Sequence, residues 1–326
     1  MCEYTLVSGT QLFRVSLVCC AAALCAISAG AWPDDLFNRV EHHFAENEGV
    51  KIHYVSIGKG PLVVMVHGFP DWWYTWANQM DALSSDFRCV ALDLRGYNQS
   101  DKPKGVENYA VPKLIADVLA VIKAEGADKV VLVGHDWGGG IAWQIALSKP
   151  ELVDKLIIVD LPHPRGLRRE MLINDEHRER TQYARDFQKP GAATLWPPEK
   201  LLARLVGRTR PESWTEDKKA RYLAAYQASD IEAMLNIYKA NYSPTVPPKA
   251  ELPYHDDSPV VKTQMPVLMF HGLADPSLHR AALNDTWEWM SKDLTIVTFP
   301  GVDHWPHHDE AALVSSTMKN WLLSRQ

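Results

Sequence analysis

VVLVGHDWGGG, residues Val130 to Gly140, is the most informative run in the chain. Four apolar, mostly β-branched residues lead into Gly134-His135-Asp136-Trp137-Gly138, after which Ile141, Ala142, Ile145 and Ala146 recur at helical spacing. The pattern predicts a strand, a sharp turn and a helix, with Asp136 at the apex. A residue there projects its side chain into a cleft, and glycines two before and two after it let the backbone bend without a Cβ clash.

Outward from that turn, β-type runs occur at Lys51 to Ile57, Pro61 to His67, Phe87 to Leu92, Lys129 to Val133 and Leu156 to Asp160, and resume at Val267 to Phe270 and Leu294 to Val297. Helical patterns separate most of them; in the clearest, Val111, Leu114, Ile115, Val118, Leu119 and Ile122 form one apolar stripe. Such alternation predicts an α/β fold: a mostly parallel sheet flanked by helices, with functional loops at the carboxyl ends of the strands. Between Arg165 and Ser243 the pattern changes to charged and aromatic helical segments broken by Pro197-Pro198 and Pro211. That stretch reads as an inserted helical cap. The expected organisation is a leader over 1–31, a first core part over 32–164, the cap over 165–245 and a second core part over 246–326, closed by an amphipathic helix from Ala311 to Leu323.

The 326 residues carry 34 basic and 40 acidic side chains, a formal charge of −6 that leaves no basic footprint for nucleic acid. Four of the five cysteines, Cys2, Cys19, Cys20 and Cys25, fall in the leader; Cys89 stands alone in the body, so no disulfide can form within it. Arg14 precedes an uncharged run from Val15 to Ala29, then Gly30-Ala31. The run, about 15 residues, is short for a span that needs roughly 20, and Ala29-Gly30-Ala31 has the form of a secretory cleavage site. A secreted or periplasmic protein starting near Trp32 is expected; the alternative is a membrane anchor formed by the uncleaved segment.

Three further features reach the same sheet edge as Asp136: His67-Gly68-Phe69-Pro70, His271-Gly272-Leu273-Ala274-Asp275 and Gly301-Val302-Asp303-His304-Trp305. Nucleophile, acid and histidine in that chain order are the arrangement of the α/β-hydrolase fold. With HGFP, GHDWGG, the late DHW and the cap, nearly the whole chain from Phe44 onward resembles the α/β-hydrolase superfamily in its epoxide hydrolase branch.

An aspartate nucleophile has a chemical reason. Serine attacking a saturated carbon would leave an ether that water cannot cleave, whereas aspartate leaves an ester that water can. The resemblance implies that Asp136 attacks the substrate carbon, that His304 then activates water against the ester, and that Asp275 orients His304. Backbone N–H groups of Phe69 and Trp137 are the expected oxyanion donors, each worth about 3 kcal/mol. Asp160, ending the strand from Leu156, is the rival acid, because many haloalkane dehalogenases place theirs there. His304, His307 and His308 could be read as a metal set, but the DHW match gives His304 to catalysis and leaves the other two at an exposed helix start. His135 reads as structural, and His42-His43 as strand surface.

The cap separates the two substrate classes open to alkyl-ester chemistry. An opening epoxide needs a proton or strong donors on its oxygen, while a halide needs weak N–H donors. The segment Thr181-Gln182-Tyr183-Ala184-Arg185-Asp186-Phe187 and the segment Leu235-Asn236-Ile237-Tyr238-Lys239 resemble those that carry the two ring-opening tyrosines of epoxide hydrolases, which assigns that role to Tyr183 and Tyr238. Tyr222, Tyr226 and Tyr242 read as packing residues. Phe69 stands where haloalkane dehalogenases commonly carry Asn or Glu, and Trp137 where fluoroacetate dehalogenases carry arginine. The resemblance therefore implies a small-molecule epoxide as substrate, no metal or organic cofactor, and an apolar pocket walled by Phe69, Trp72, Trp76, Trp137 and Phe187. Haloalkane dehalogenase and a non-catalytic binding module are the alternative readings.

Overall fold

The computed structural model describes residues 36–325; the apolar leader lies outside them. Eight strands form one sheet: β1 (Glu41–Asn47), β2 (Val50–Ile57), β3 (Leu62–Val66), β4 (Arg88–Leu92), β5 (Val130–His135), β6 (Val153–Val159), β7 (Val267–Gly272) and β8 (Leu294–Phe299). Their spatial order is β1-β2-β4-β3-β5-β6-β7-β8, with β1 and β2 antiparallel and the rest of the sheet parallel from β4 to β8. The strands β3, β5 and β7 are buried along their whole length, which is why they read as continuous apolar runs.

Helices Val111–Ala124 and Trp137–Ser148 pack together against the sheet, and Ala77–Leu83 pairs with the closing helix Ala311–Leu323. The stripe predicted for the first of these is buried at Leu114, Val118 and Ile122, and it also holds Asp117. A carboxylate in an apolar stripe demands a partner, and the Arg95 guanidinium grips both Asp117 oxygens at 2.6 Å.

The strand β1 is not among the β-type runs read from the sequence, although His42-His43 within it read as strand surface. Its residues, EHHFAEN, bury only Ala45, because β1 is the sheet's edge and offers no alternation to detect. It joins β2 through Glu48 and Gly49, both at positive φ (49° and 78°), the geometry of a tight hairpin turn.

Between β6 and β7 the longer elements are all helical: Pro164–Ile173, Asp175–Arg180, Gln182–Asp186, Pro198–Arg208, Glu216–Ala228 and Ile231–Asn241. This insertion leaves the sheet at its carboxyl edge, where the loops after β3, β5, β7 and β8 also emerge, so helical side chains can face the loop residues across one space.

Candidate active site

Asp136 follows β5 directly and caps the helix Trp137–Ser148, with φ of 51° and ψ of −123°. A non-glycine residue at positive φ is strained, and strain of this kind persists only where the surroundings enforce it. Here neighbouring backbones leave no alternative. A Cβ on Gly134 would lie 2.3 Å from the Gly138 carbonyl oxygen, and one on Gly138 would lie 2.1 Å from that of Val66. Gly68, after β3, approaches so closely that a Cβ there would meet the Asp136 Cβ and Oδ1 at 2.4 Å.

The Phe69 N–H, one residue on, donates to Asp136 Oδ1 at 2.9 Å. Asp136 Oδ2 lies 3.3 Å from His304 Nε2, and His304 Nδ1 lies 2.8 Å from Asp275 Oδ2. Asp275 Oδ1 in turn accepts the Ser277 N–H at 2.6 Å. All three side chains are buried. Burial works to raise the Asp275 carboxyl, but the charge and hydrogen bond of His304, the Ser277 N–H and Arg208 outweigh it and hold its pKa down at about 2. For Asp136, burial is likewise outweighed, here by His304 and the Phe69 N–H, and the pKa falls. Burial disfavours an imidazolium, yet Asp275 and Asp136 on either side push the His304 pKa well above its ordinary value. The two carboxylates thus both favour the protonated form of His304.

Asp160 is engaged elsewhere. One of its oxygens accepts the Gly272 N–H at 3.0 Å and the other lies 2.7 Å from His271 Nδ1. Of the two candidate acids, Asp275 is the one whose carboxylate reaches His304.

Asp136 and His304 line a space of about 290 Å³, open to solvent, together with Phe69, Pro70 and Trp305 from the core and Tyr183, Phe187, Arg204, Arg208 and Tyr238 from the insertion. The Tyr238 ring meets those of Phe69, Phe187 and Trp137 at centroid distances of 5.6, 5.1 and 5.1 Å, and Tyr183 lies 6.2 Å from Tyr238. Both phenols are pushed up in pKa, chiefly by burial, with the negative charge of Asp136 adding to it. They remain protonated donors at any working pH.

The alpha/beta hydrolase fold family model matches residues 61–311. Among curated proteins, the AB hydrolase superfamily protein YfhM of Bacillus subtilis is 31% identical over 88% of this chain and 99% of its own, and the human Epoxide hydrolase 4 is 31% identical over 94% and 92%. Among solved structures, a Bacillus megaterium epoxide hydrolase with an inhibitor superposes with a TM-score of 0.76 at 30% identity, covering 86% of this chain and 99% of that one. The chain belongs to the α/β-hydrolase family, in its epoxide hydrolase branch.

Within this α/β-hydrolase several residues lie elsewhere than the sequence suggests. Trp72 does not line the chamber; its ring packs against Phe37, Trp73 and Tyr222, and the chamber side of the same loop is taken by Phe69 and Pro70. Trp76 is buried against His307. His307 and His308 are buried, not exposed at a helix start, because both Nε2 atoms meet Thr75 Oγ1, at 2.9 and 2.7 Å. Asp71 comes within 4.8 Å of this pair, a spacing that could suit a metal, but its oxygens already accept from Trp305 Nε1 at 2.8 Å and Tyr222 OH at 3.1 Å. Tyr222 is therefore a tie between insertion and core as well as a packing residue. His135 donates Nε2–H to the His304 carbonyl at 2.9 Å, and burial lowers its pKa to about 3, so it stays neutral.

The chamber is also less apolar than expected. Arg204 and Arg208, four apart on one helix, both line it. Their i, i+4 spacing is visible in the sequence, but on a charged helix that spacing by itself marks a solvated face. Arg208 forks onto Asp303 at 3.0 and 2.6 Å and reaches Asp275 at 3.5 Å, so it links the insertion to the loops bearing the histidine and its acid.

Proposed function

We propose that this α/β-hydrolase adds water to an epoxide, giving a vicinal diol through a covalent ester on Asp136, with the helical insertion acting as a cap. The observation that carries the reading is the chamber itself: two tyrosines of the insertion, Tyr238 buried and Tyr183 partly so, and the Asp136 carboxylate line one small space.

In the first step a carboxylate oxygen of Asp136 forms a bond to an oxirane carbon as the carbon–oxygen bond of the ring breaks. Tyr183 or Tyr238 gives its phenolic proton to the departing oxygen while the other phenol hydrogen-bonds to it. Esterification removes one of the two carboxylates that hold the His304 proton. The imidazolium then returns a proton to the phenolate and becomes a neutral base. In the second step His304 takes a proton from water, the hydroxide adds to the Asp136 carbonyl carbon, and the N–H groups of Phe69 and Trp137 receive the oxyanion. Collapse expels the diol oxygen, which takes the proton from His304, and the acid left on Asp136 re-protonates His304 to restore the resting pair. Asp275 keeps Nδ1 protonated throughout, so that Nε2 does the proton transfer.

A single turnover in ¹⁸O-labelled water, with enzyme in excess over styrene oxide, tests the sequence of events. Unlabelled oxygen in the first diol and label in the Asp136 peptide are expected. Label in the diol alone would mean direct attack by water and would remove the ester from the mechanism. The same proposal places the enzyme outside the cytoplasm, on the strength of the Val15 to Ala29 run and Ala29-Gly30-Ala31. Sequencing the amino terminus of the exported protein tests it, with a start near Trp32 expected.

A further inference from the structure

Arg204 lines the chamber with Asp136, His304 and the two tyrosines, and its guanidinium makes no hydrogen bond or ion pair with any other described residue. Its guanidinium carbon lies 5.3 Å from the ring centre of Trp196, which also has Lys200 at 4.7 Å, and Tyr183 and Tyr238 in the same chamber favour its charge. One turn on, Arg208 shows what a guanidinium here does when an acceptor is present: it is spent on Asp303 and Asp275. The carboxylate of Asp303 also attracts Arg204, but it already lies in the fork of Arg208. Burial and the repulsion of Arg208 both disfavour the charge on Arg204. A guanidinium keeps its charge regardless, so Arg204 brings to the chamber lining a partly buried cation with no protein acceptor.

We propose that Arg204 is the anion-binding group of the chamber: the epoxide this enzyme takes is a short one bearing a carboxylate, which Arg204 holds while the oxirane lies against Asp136. The proposal rests on the epoxide hydrolase reading and adds the substrate class. A planar guanidinium matches a carboxylate in a two-point contact, which suits that anion better than a point charge would. The short chain follows from placement: Arg204 and Asp136 line the same chamber, so a molecule that touches both has few atoms between its carboxylate and its oxirane.

The test uses the full enzyme and a series of terminal epoxy carboxylic acids about four to eight carbons long, each paired with its primary alcohol, with styrene oxide as an uncharged control. At one chain length the wild type should favour the acid in kcat/KM by roughly ten- to a hundredfold, mostly through KM. Arg204→Gln should collapse that ratio, Arg204→Lys should keep part of it, and Arg204→Glu should invert it; thermal unfolding of each variant checks that the fold is kept. If the control and the alcohols are turned over but the acids show no advantage, or the advantage survives Arg204→Gln, the assignment is wrong. If no epoxide is turned over, the underlying reading fails instead.

Discussion

The Asp160 carboxylate lies 2.7 Å from His271 Nδ1, while Asp275 alone hydrogen-bonds His304 Nδ1, at 2.8 Å. The two acids end adjacent strands and come within 4.8 Å of His304 and of each other, so chain position does not separate them. Their partners do. Asp275→Asn should slow hydrolysis of the ester about a thousand- to ten-thousandfold, as loss of the orienting acid does in related triads. Alkylation should continue, so the Asp136 adduct should accumulate in the mass spectrum. Asp160→Asn should leave turnover within a few-fold but remove the charge opposite buried His271, a loss of about 3 to 5 kcal/mol in urea unfolding. A stalled ester in Asp160→Asn, with none in Asp275→Asn, would exchange the two roles.

What the sequence makes legible follows burial. The parallel strands carry their signal because both faces are covered, and the loops at their ends then point to Asp136 and His304 and to two candidate acids, which distances alone separate. The edge strand β1 gives that logic only the surface reading of His42-His43, since Phe44 is 54% exposed and Glu41 and Glu46 stand in the same strand. Trp72 and Phe187 look alike in the sequence as large aromatics near motif positions; only packing puts one in the core and the other in the chamber. His307 and His308 mislead because two adjacent histidines before an acidic residue suit a helix surface, and the burial comes from Thr75, over 200 residues away. Arg204 depends on where the insertion folds back over the sheet, which no local pattern encodes.

Tyr183 and Tyr238 lie 6.2 Å apart, centre to centre, in the same chamber, so either can follow the opening oxygen. Tyr183→Phe and Tyr238→Phe should each reduce the alkylation rate by about ten- to a hundredfold, and the double variant should lose nearly all of it, general-acid help being worth roughly 10² to 10⁴. Hydrolysis of an ester formed with a more reactive epoxide should be little changed. Single-turnover tryptophan fluorescence separates the two steps. A double variant that alkylates at the wild-type rate would leave ring opening without its acid.

Gly68 is set by the nucleophile across from it. A Cβ there would lie 2.4 Å from Asp136 Cβ and Oδ1, and the atoms it meets belong to a side chain fixed by its strained backbone and by the Phe69 N–H. Gly68→Ala should therefore cost about 1 to 3 kcal/mol in stability, the usual range for overpacking. It should also reduce alkylation by more than a hundredfold, as expected when a reacting group is displaced by about 1 Å. Circular dichroism melting and single-turnover kinetics measure the two. A stable, fully active Gly68→Ala enzyme would show that the loop yields and that the contact does not position Asp136.

Asp71 gives a pH dependence of stability whose sign is fixed by its surroundings. Burial raises its pKa from 3.8 to about 6, against the opposing hydrogen bonds from Trp305, Tyr222 and Thr75 and the nearby charge of Lys218. A carboxyl with a folded pKa above its unfolded value binds its proton more tightly when folded. Its contribution to stability is complete below pH 3.8 and is lost as the pH rises through about 6. A shift of about two units corresponds to an upper bound of about 3 kcal/mol. Asp71→Asn keeps an acceptor for the Trp305 indole but cannot ionise. The variant should therefore gain on the wild type by about 2 to 3 kcal/mol between roughly pH 4 and pH 7, and no further above that. Other titrating groups, among them Asp309 with its pKa also raised to about 6, are common to both proteins and cancel in the difference. Urea unfolding of the two proteins across that range measures it. A difference that does not change with pH would mean that Asp71 ionises as easily in the folded enzyme as in water, and that burying its charge at the tie to Tyr222 costs nothing.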